Sequence, residues 1–116
     1  MHASVLSAST LAGDSVVNSA GEDLGKLEDI MLDLEHGKVA YAVLSFGGFM
    51  GMGDKLFALP WDSLRVDEAN KRLILELPKE KLEKAEGFDK SNWPDMADTS
   101  FRDRTYSEFG ARPYWN

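Results

Sequence analysis

The side chains with the clearest chemical potential lie in a short predicted turn, where His36 follows Asp33 and Glu35. A histidine flanked by carboxylates can bind a divalent cation or take part in acid–base catalysis. The only other histidine, His2, lies in the first residues of the chain, and the spacing of these groups matches no known set of metal ligands. We therefore expect an exposed turn here, with no metal site.

Two further arrangements do not make convincing catalytic sites. Asp29 and Asp33 are a carboxylate pair, but acid–base work requires a pocket and a shifted pKa, and aspartates beside turns more often accept hydrogen bonds from the turn. Ser63 lies in the sequence Pro-Trp-Asp-Ser-Leu, which is not a nucleophile elbow. The chain has no cysteine, which removes thiolate nucleophiles and disulfides. These residues predict a protein that is not an enzyme and has no cofactor.

A glycine-rich segment spans residues 47–54. It matches neither of the glycine motifs that bind nucleotides, and no Lys-Ser or Lys-Thr pair follows its last glycine. Phe49, Met50 and Met52 are adaptable apolar side chains on this predicted loop, and such side chains can form a contact surface. We interpret these three residues as candidates for protein contacts.

The charge balance excludes several partners. The chain has 116 residues, with 20 acidic and 13 basic side chains and a formal net charge of −7. An acidic surface repels phosphate, so we expect neither direct nucleic-acid binding nor attraction to an anionic membrane. Apolar stretches such as 39–49 are far shorter than the ~20 residues needed to span a bilayer, and the first residues do not resemble a signal peptide. These features predict a cytoplasmic protein without membrane insertion.

Residues 24–34 and 39–46 form the strongest predicted strand pair. In 24–34 the apolar side chains change sides near Glu28 and Asp29, which predicts a β-bulge. Residues 39–46 are rich in β-branched and aromatic side chains and are apolar on both faces, as is typical of a central strand. The short connection, with Gly37 at a position that favours positive φ, joins the two strands as a hairpin.

The remaining pattern predicts more short strands. Residues 11–18 and 55–59 have strand character, and a second hairpin joins 64–67 to 71–77. Residues 78–87 predict a short helix, with proline in its first turn and glycine at its end. Together the elements predict a mostly β fold, a small closed or nearly closed β-barrel with a short helix and an aromatic-rich C-terminal extension.

The extension, residues 89–116, has no sustained period but contains six of the twelve aromatic residues. Disordered tails are normally poor in aromatics, so we expect this segment to pack on its own barrel, on a second subunit or on a foreign partner. Three arginines nearby give it the composition of an interface. Its candidate contact residues are Trp93, Tyr106, Phe109, Tyr114 and Trp115.

The order of these motifs resembles the PRC-barrel family, named for the photosynthetic reaction centre H subunit. Gly25-Lys-Leu-Glu-Asp-Ile30, Gly37-Lys-Val-Ala-Tyr-Ala-Val-Leu-Ser45 and Leu59-Pro-Trp-Asp-Ser-Leu64 carry the resemblance, which covers roughly residues 8–88. It implies a non-catalytic assembly or binding domain. No transmembrane helix of the reaction-centre kind is visible, and no companion domain of the kind found in the ribosome-maturation factor precedes the barrel.

The sequence divides into three predicted segments and favours one function. Residues 1–10 are predicted to be a flexible lead-in, 11–88 a PRC-barrel-like domain, and 89–116 an extension that packs on the barrel or a partner subunit. We expect a non-enzymatic adaptor or scaffold that self-associates as a homodimer or higher homo-oligomer and binds an unidentified protein partner. The alternative is a ribosome-assembly or RNA-processing accessory that binds a protein component.

Overall fold

The computed structural model describes residues 5–47 and 55–115. Within these residues the strands are β1 (Ser15–Val17), β2 (Asp23–Asp33), β3 (Lys38–Phe46), β4 (Lys55–Leu59), β5 (Leu64–Asp67) and β6 (Arg72–Leu75). The helices are α1 (Ala8–Leu11), α2 (Lys79–Lys84) and α3 (Thr99–Glu108), and a 3-10 turn covers Trp61–Ser63. The mostly β prediction is confirmed.

The long hairpin of β2 and β3 forms the centre of the sheet. The two strands pair antiparallel from Lys26↔Ser45 to Asp33↔Lys38, and the register shifts between Leu27 and Asp29. The predicted hairpin and its bulge are therefore both confirmed. Gly37 has the expected positive φ, at 65°.

The six strands lie in the order β4-β3-β2-β1-β6-β5, and only the β1–β6 pair is parallel. The end strands β4 and β5 are nevertheless separated in sequence only by Pro60 and the 3-10 turn. In a flat sheet with ~4.8 Å between strands, these end strands would be about 24 Å apart. The five-residue step from Leu59 to Leu64 reaches at most about 18 Å. The sheet must therefore curl.

The curled sheet is a half-barrel, so the prediction of closure is wrong in its stronger form. In the described part of the chain, no strand pairing joins β4 to β5. The outer edge of β4 is instead paired with the segment that follows α2, where the Leu56 and Phe88 amides each donate to the other residue's carbonyl at 2.8 Å. A strand edge that has already satisfied its backbone groups does not need closure.

The inner face of the sheet encloses an apolar core. Its buried side chains come from α1, α2 and all of the strands except β5, and they are Leu11, Val16, Leu24, Leu27, Ala42, Leu44, Phe46, Leu59, Leu73, Leu75 and Leu82. Trp61, Leu64 and Val66 pack against this core from the 3-10 turn and β5. Burial of this set is the main source of the barrel's stability, because apolar area removed from water is the dominant favourable term in folding.

Local structure differs from the sequence interpretation at three places. The first strand is only Ser15–Val17, and a helical turn, α1, precedes it with Leu11 buried. The second difference is α3, in a segment where we predicted no regular structure. The third is that the predicted short helix ends earlier, at Lys84. Over the two described ranges, no helix has the length and apolar character needed to cross a membrane.

Candidate functional site

The outer face of β3 is covered by the C-terminal extension, so this strand is buried on both sides. Tyr41 is 0% exposed, and Tyr106 of α3, which packs against it, is 4% exposed. The Tyr106 hydroxyl donates a hydrogen bond of 2.5 Å to the Ala40 carbonyl oxygen. The apolar character of both faces of residues 39–46 therefore has a structural cause: one face lines the core and the other receives the extension.

Helix α3 begins and ends with recognisable capping signals. The Asp98 carboxylate accepts a hydrogen bond of 2.8 Å from the Ser100 amide, as an N-cap residue does. Gly110, with φ of 63°, follows the end of the helix, and the Ala111 amide donates a hydrogen bond of 2.9 Å to the Tyr106 carbonyl oxygen. These caps fix the helix so that its inward side chains reach β3.

We call the contacts between β3 and the extension the tail cluster, made by Tyr41, Phe101, Tyr106, Tyr114 and Trp115. The Tyr106 ring lies 4.8 Å from Trp115, 5.9 Å from Tyr114 and 6.1 Å from Tyr41, measured between centroids. The Tyr41 ring also lies 5.7 Å from Phe101. Most of these pairs are edge-on, an arrangement that aromatic quadrupoles favour. The cluster is thus a second, aromatic core outside the half-barrel.

Asp33, at the end of β2, joins the hairpin tip to the tail cluster. Its Oδ1 accepts from the amides of Glu35 at 3.0 Å and His36 at 3.1 Å, as predicted for an aspartate beside a turn. Its Oδ2 lies 2.9 Å from His36 Nδ1 and accepts a hydrogen bond of 2.5 Å from the Tyr114 hydroxyl. One carboxylate therefore holds both the turn and the end of the extension.

These bonds shift the titration of both partners. The Tyr114 hydroxyl and then the His36 amide hold the pKa of the Asp33 carboxyl well below its usual range. Burial, followed by the bond to Asp33, raises the pKa of Tyr114 well above its usual range. At neutral pH the pair is consequently a neutral phenol donating to a carboxylate, which is the stronger form of this bond.

Two polar groups, one in the tail cluster and one beside it, are buried without a hydrogen-bond partner among the described residues. They are the hydroxyl of Tyr41 and the Nε of Arg102. The guanidinium of Arg102 lies over the Trp115 ring at 3.7 Å, and its nearest carboxylate oxygen, on Asp103, is 3.5 Å from Nε. Burial raises the pKa of Tyr41 to about 12, so its hydroxyl keeps its proton and remains a donor.

A cavity of about 400 Å³ lies between the hairpin tip and the N-terminal half of α3. Tyr41, Arg102 and Asp33 contribute to its polar lining, and Met31 and Met96 contribute to its apolar lining. The two residues that have unpaired donors therefore line the same cavity as flexible apolar side chains.

Two leucines at the same end of the molecule are exposed. Leu32 is 64% exposed and Leu34 is 89% exposed, and both line the cavity. Full burial of a leucine side chain is worth about 1.5–3 kcal/mol, so this surface gives up a substantial gain while it faces water. Leu32 and Leu34 lie two residues apart beside the cavity, which makes them candidates for a contact surface.

The predicted contact residues fall into four groups. Tyr106, Tyr114 and Trp115 come together in the tail cluster. Phe109 packs instead against the half-barrel core, and Trp93 lies against Phe88 with ring centroids 5.3 Å apart. The fourth group, Phe49, Met50 and Met52, lies outside the described residues.

The sequence interpretation missed Tyr41, considered Arg102 only as one of three arginines with an interface composition, and did not connect Asp33 with the extension. Tyr41 was not identified because an aromatic residue in an apolar strand is usually an ordinary core residue. A signal for α3 was present: Asp98 can cap a helix, and Phe101, Tyr106 and Phe109 follow at nearly helical spacing. Arginines and a threonine between these positions mask the apolar face.

Comparison with known proteins gives one family match. The model of the PRC-barrel domain matches residues 4–82, which cover the six strands, end within α2 and exclude α3. No curated protein is significantly similar to the chain.

Proposed function

We propose that this chain, which belongs to the PRC-barrel domain family, is a non-enzymatic assembly module that binds a second copy of itself. The family indicates a binding or assembly role in general. The observation that supports self-association is the exposure of Leu32 and Leu34 at the hairpin tip. We call these two residues the leucine pair.

A second copy fits this surface for reasons of symmetry and chemistry. A two-fold axis beside the hairpin tip would bring Leu32 of each copy against Leu34 of the other, because an isologous interface pairs each residue reciprocally. Much of the extension's aromatic surface is already used within the chain: Tyr106 is buried, and Tyr114 and Trp115 are partly buried. The leucine pair is therefore the largest apolar surface that β2 and its turn still offer.

The expected association is weak. Burial of four leucine side chains across the two-fold axis contributes about 6–12 kcal/mol of favourable free energy. The loss of translational and rotational freedom on association opposes it by about 4–15 kcal/mol. The net charge of −7 on each copy adds repulsion that salt screens. We therefore expect a concentration-dependent dimer that is stronger at higher ionic strength.

Light scattering after gel filtration tests the proposal. The full chain is expected to run as a dimer at high micromolar concentration in physiological salt, and the double variant Leu32→Ser, Leu34→Ser as a monomer. Val5→Ser is the matched control, because Val5 is an equally exposed apolar side chain, at 86%, far away in sequence. A wild-type monomer under these conditions, or a double variant that still dimerises, would contradict the proposal.

A further inference from the structure

Arg102 is an unusual cation for this molecule. Its side chain is only 19% exposed, and its buried Nε makes no hydrogen bond in the described part of the chain, although the Asp103 Oδ1 lies 3.5 Å away as an ion-pair partner. Trp115 covers one face of the guanidinium, which leaves the in-plane N–H groups as the directions in which it can bind a ligand. A guanidinium with a stacked face and free edges is suited to a carboxylate, whose two oxygens match its fork.

Tyr41 adds a second donor at the same cavity. Its side chain is fully buried, its hydroxyl is protonated at neutral pH, and it has no acceptor among the described residues. A buried donor without an acceptor costs free energy, and a bound acceptor would recover it. The methionines of the lining, Met31 and Met96, are flexible enough to move aside, because an unbranched thioether chain adapts its rotamer at little cost.

The acidic residues around the cavity do not neutralise Arg102. The Asp33 carboxylate already accepts hydrogen bonds from Tyr114, from His36 and from two backbone amides of the turn. Glu35, at the cavity rim, is exposed, and water therefore screens its charge. The Asp103 carboxylate lies 3.5 Å from the Arg102 Nε, but its side chain is 63% exposed, so water weakens this ion pair. A ligand carboxylate that reached the guanidinium would therefore meet a positive charge that is only partly compensated.

We propose that this cavity binds the carboxylate of a ligand with an apolar chain, with Arg102 and Tyr41 as donors to the carboxylate. The apolar chain would lie along the methionines and out past the leucine pair. Such a carboxylate occurs in a short aliphatic acid and at the C-terminus of a peptide. Both share the recognised chemistry, and the experiment separates them.

Calorimetry and amide chemical shifts of the full chain provide the test, with hexanoate, hexanamide and hexylammonium as probes. Hexanoate is expected to bind about tenfold more tightly than hexanamide, because hydrogen bonds to a charged acceptor are the stronger ones. Shifts are expected at Arg102, Tyr41 and Met96. Equal affinity for hexanamide, preference for hexylammonium, or shifts elsewhere would overturn the proposal.

Variants assign the donors. Arg102→Met should weaken hexanoate binding about tenfold or more, whereas Arg104→Met, an exposed arginine on the same helix, should leave it unchanged. Because Arg102→Met removes a contact with Trp115 and can loosen α3, Tyr41→Phe is the second variant. It removes only an unpaired hydroxyl and should weaken binding several-fold while the chain stays folded. Undiminished binding in both variants would overturn the assignment.

A peptide ending in leucine, with a free or an amidated C-terminus, identifies the source of the carboxylate. Tighter binding of the free-acid peptide than of hexanoate indicates a protein C-terminus, and binding of hexanoate alone indicates a small acid. The measurement is repeated at protein concentrations below and above the range in which the chain is expected to dimerise. Binding that persists at the lower concentration shows that the carboxylate site does not depend on the proposed dimer. If neither carboxylate binds at either concentration, the proposal is wrong whatever the oligomeric state.

Discussion

The interior of the half-barrel and the tail cluster are both buried, but they are built differently. The interior consists of aliphatic side chains with one phenylalanine, and it needs no polar contacts to be satisfied. The tail cluster consists of aromatic side chains, and two charged groups contact it, the Arg102 guanidinium at Trp115 and the Asp33 carboxylate at Tyr114. Its fully buried tyrosine hydroxyl, on Tyr41, has no acceptor in the described residues.

This difference separates stability from recognition. Apolar packing in the interior stabilises the contacts between strands, and this stabilisation does not require a specific geometry at any one contact. Docking of the extension depends on a few hydrogen bonds, whose geometry is specific. A hydroxyl that is buried without a hydrogen-bond partner, such as that of Tyr41, costs about 1–3 kcal/mol of stability. The interior should therefore set the global free energy of unfolding, while the extension opens more easily and locally.

The largest effect is expected from a cavity in the interior. Leu27→Ala removes a side chain that is 1% exposed and should lower the free energy of unfolding by about 2–5 kcal/mol. Leu32→Ala, on the same strand but 64% exposed, is the matched control and should change it by less than about 0.5 kcal/mol. Urea denaturation followed by far-UV circular dichroism measures both. Similar losses in the two variants would mean that the inner face does not carry the stability.

A smaller and more local effect is expected from Tyr106→Ala. The substitution removes the ring at the centre of the tail cluster and its bond to the Ala40 carbonyl. Hydrogen exchange should show loss of protection in α3 with β1, β2 and β6 still protected, because the barrel core does not include this ring.

The cost to global stability in Tyr106→Ala should not exceed about 3 kcal/mol, since the loss is limited by the free energy of docking. Tyr106→Phe keeps the ring and should cost only about 1 kcal/mol. Simultaneous exchange of barrel and α3 amides in the alanine variant would show that the two regions are one cooperative unit.

The smallest effect is expected from the bond between Asp33 and Tyr114, and it depends on pH. The pKa of Asp33 is lower in the folded chain than in the unfolded chain, so this carboxylate stabilises docking at pH values above its ordinary range. That contribution is lost as the pH falls below the unfolded value, about 3.9, towards the depressed folded value. Protection of the amides around Tyr114 should therefore decrease on acidification.

Asp33→Asn should weaken docking at neutral pH and remove this part of the acid dependence. Asp29→Asn is the control, because Asp29 lies on the same strand and its carboxylate accepts a hydrogen bond from the neighbouring Ile30 amide. NMR of the Trp115 indole follows docking across the titration. An acid dependence that is the same in wild type and Asp33→Asn would show that another group controls the end of the extension.

Much of the half-barrel was predictable because its periodicity is strong. The hairpin of β2 and β3, the bulge after Leu27, strand β4 and the β5–β6 pair all follow from alternation and turn residues. The extension was harder, since α3 has a narrow apolar face interrupted by Arg102 and Thr105. The role of Asp33 could not be foreseen at all, because its partner Tyr114 is 81 positions away in sequence.

Gly25 illustrates the limit of a motif. The sequence places it in the segment that resembles the family, but it does not say why glycine is needed there. In the structure its φ is 123°, and a Cβ atom would lie 2.0 Å from the Ser45 carbonyl oxygen. The reason is a close approach between β2 and β3, which exists only after the hairpin has formed.

The sequence by itself determined the family, the strands and the inward side chains, because alternation and turn chemistry act over a few residues. Only the tertiary structure decided that the sheet remains open, that the extension covers β3, and that Tyr41 and Arg102 meet at one cavity. These outcomes depend on which groups, distant in sequence, contact the same strand edge, sheet face or hydrogen-bond acceptor. Phe88 reaches the edge of β4, and Tyr114 reaches the carboxylate of Asp33. No local pattern encodes such encounters.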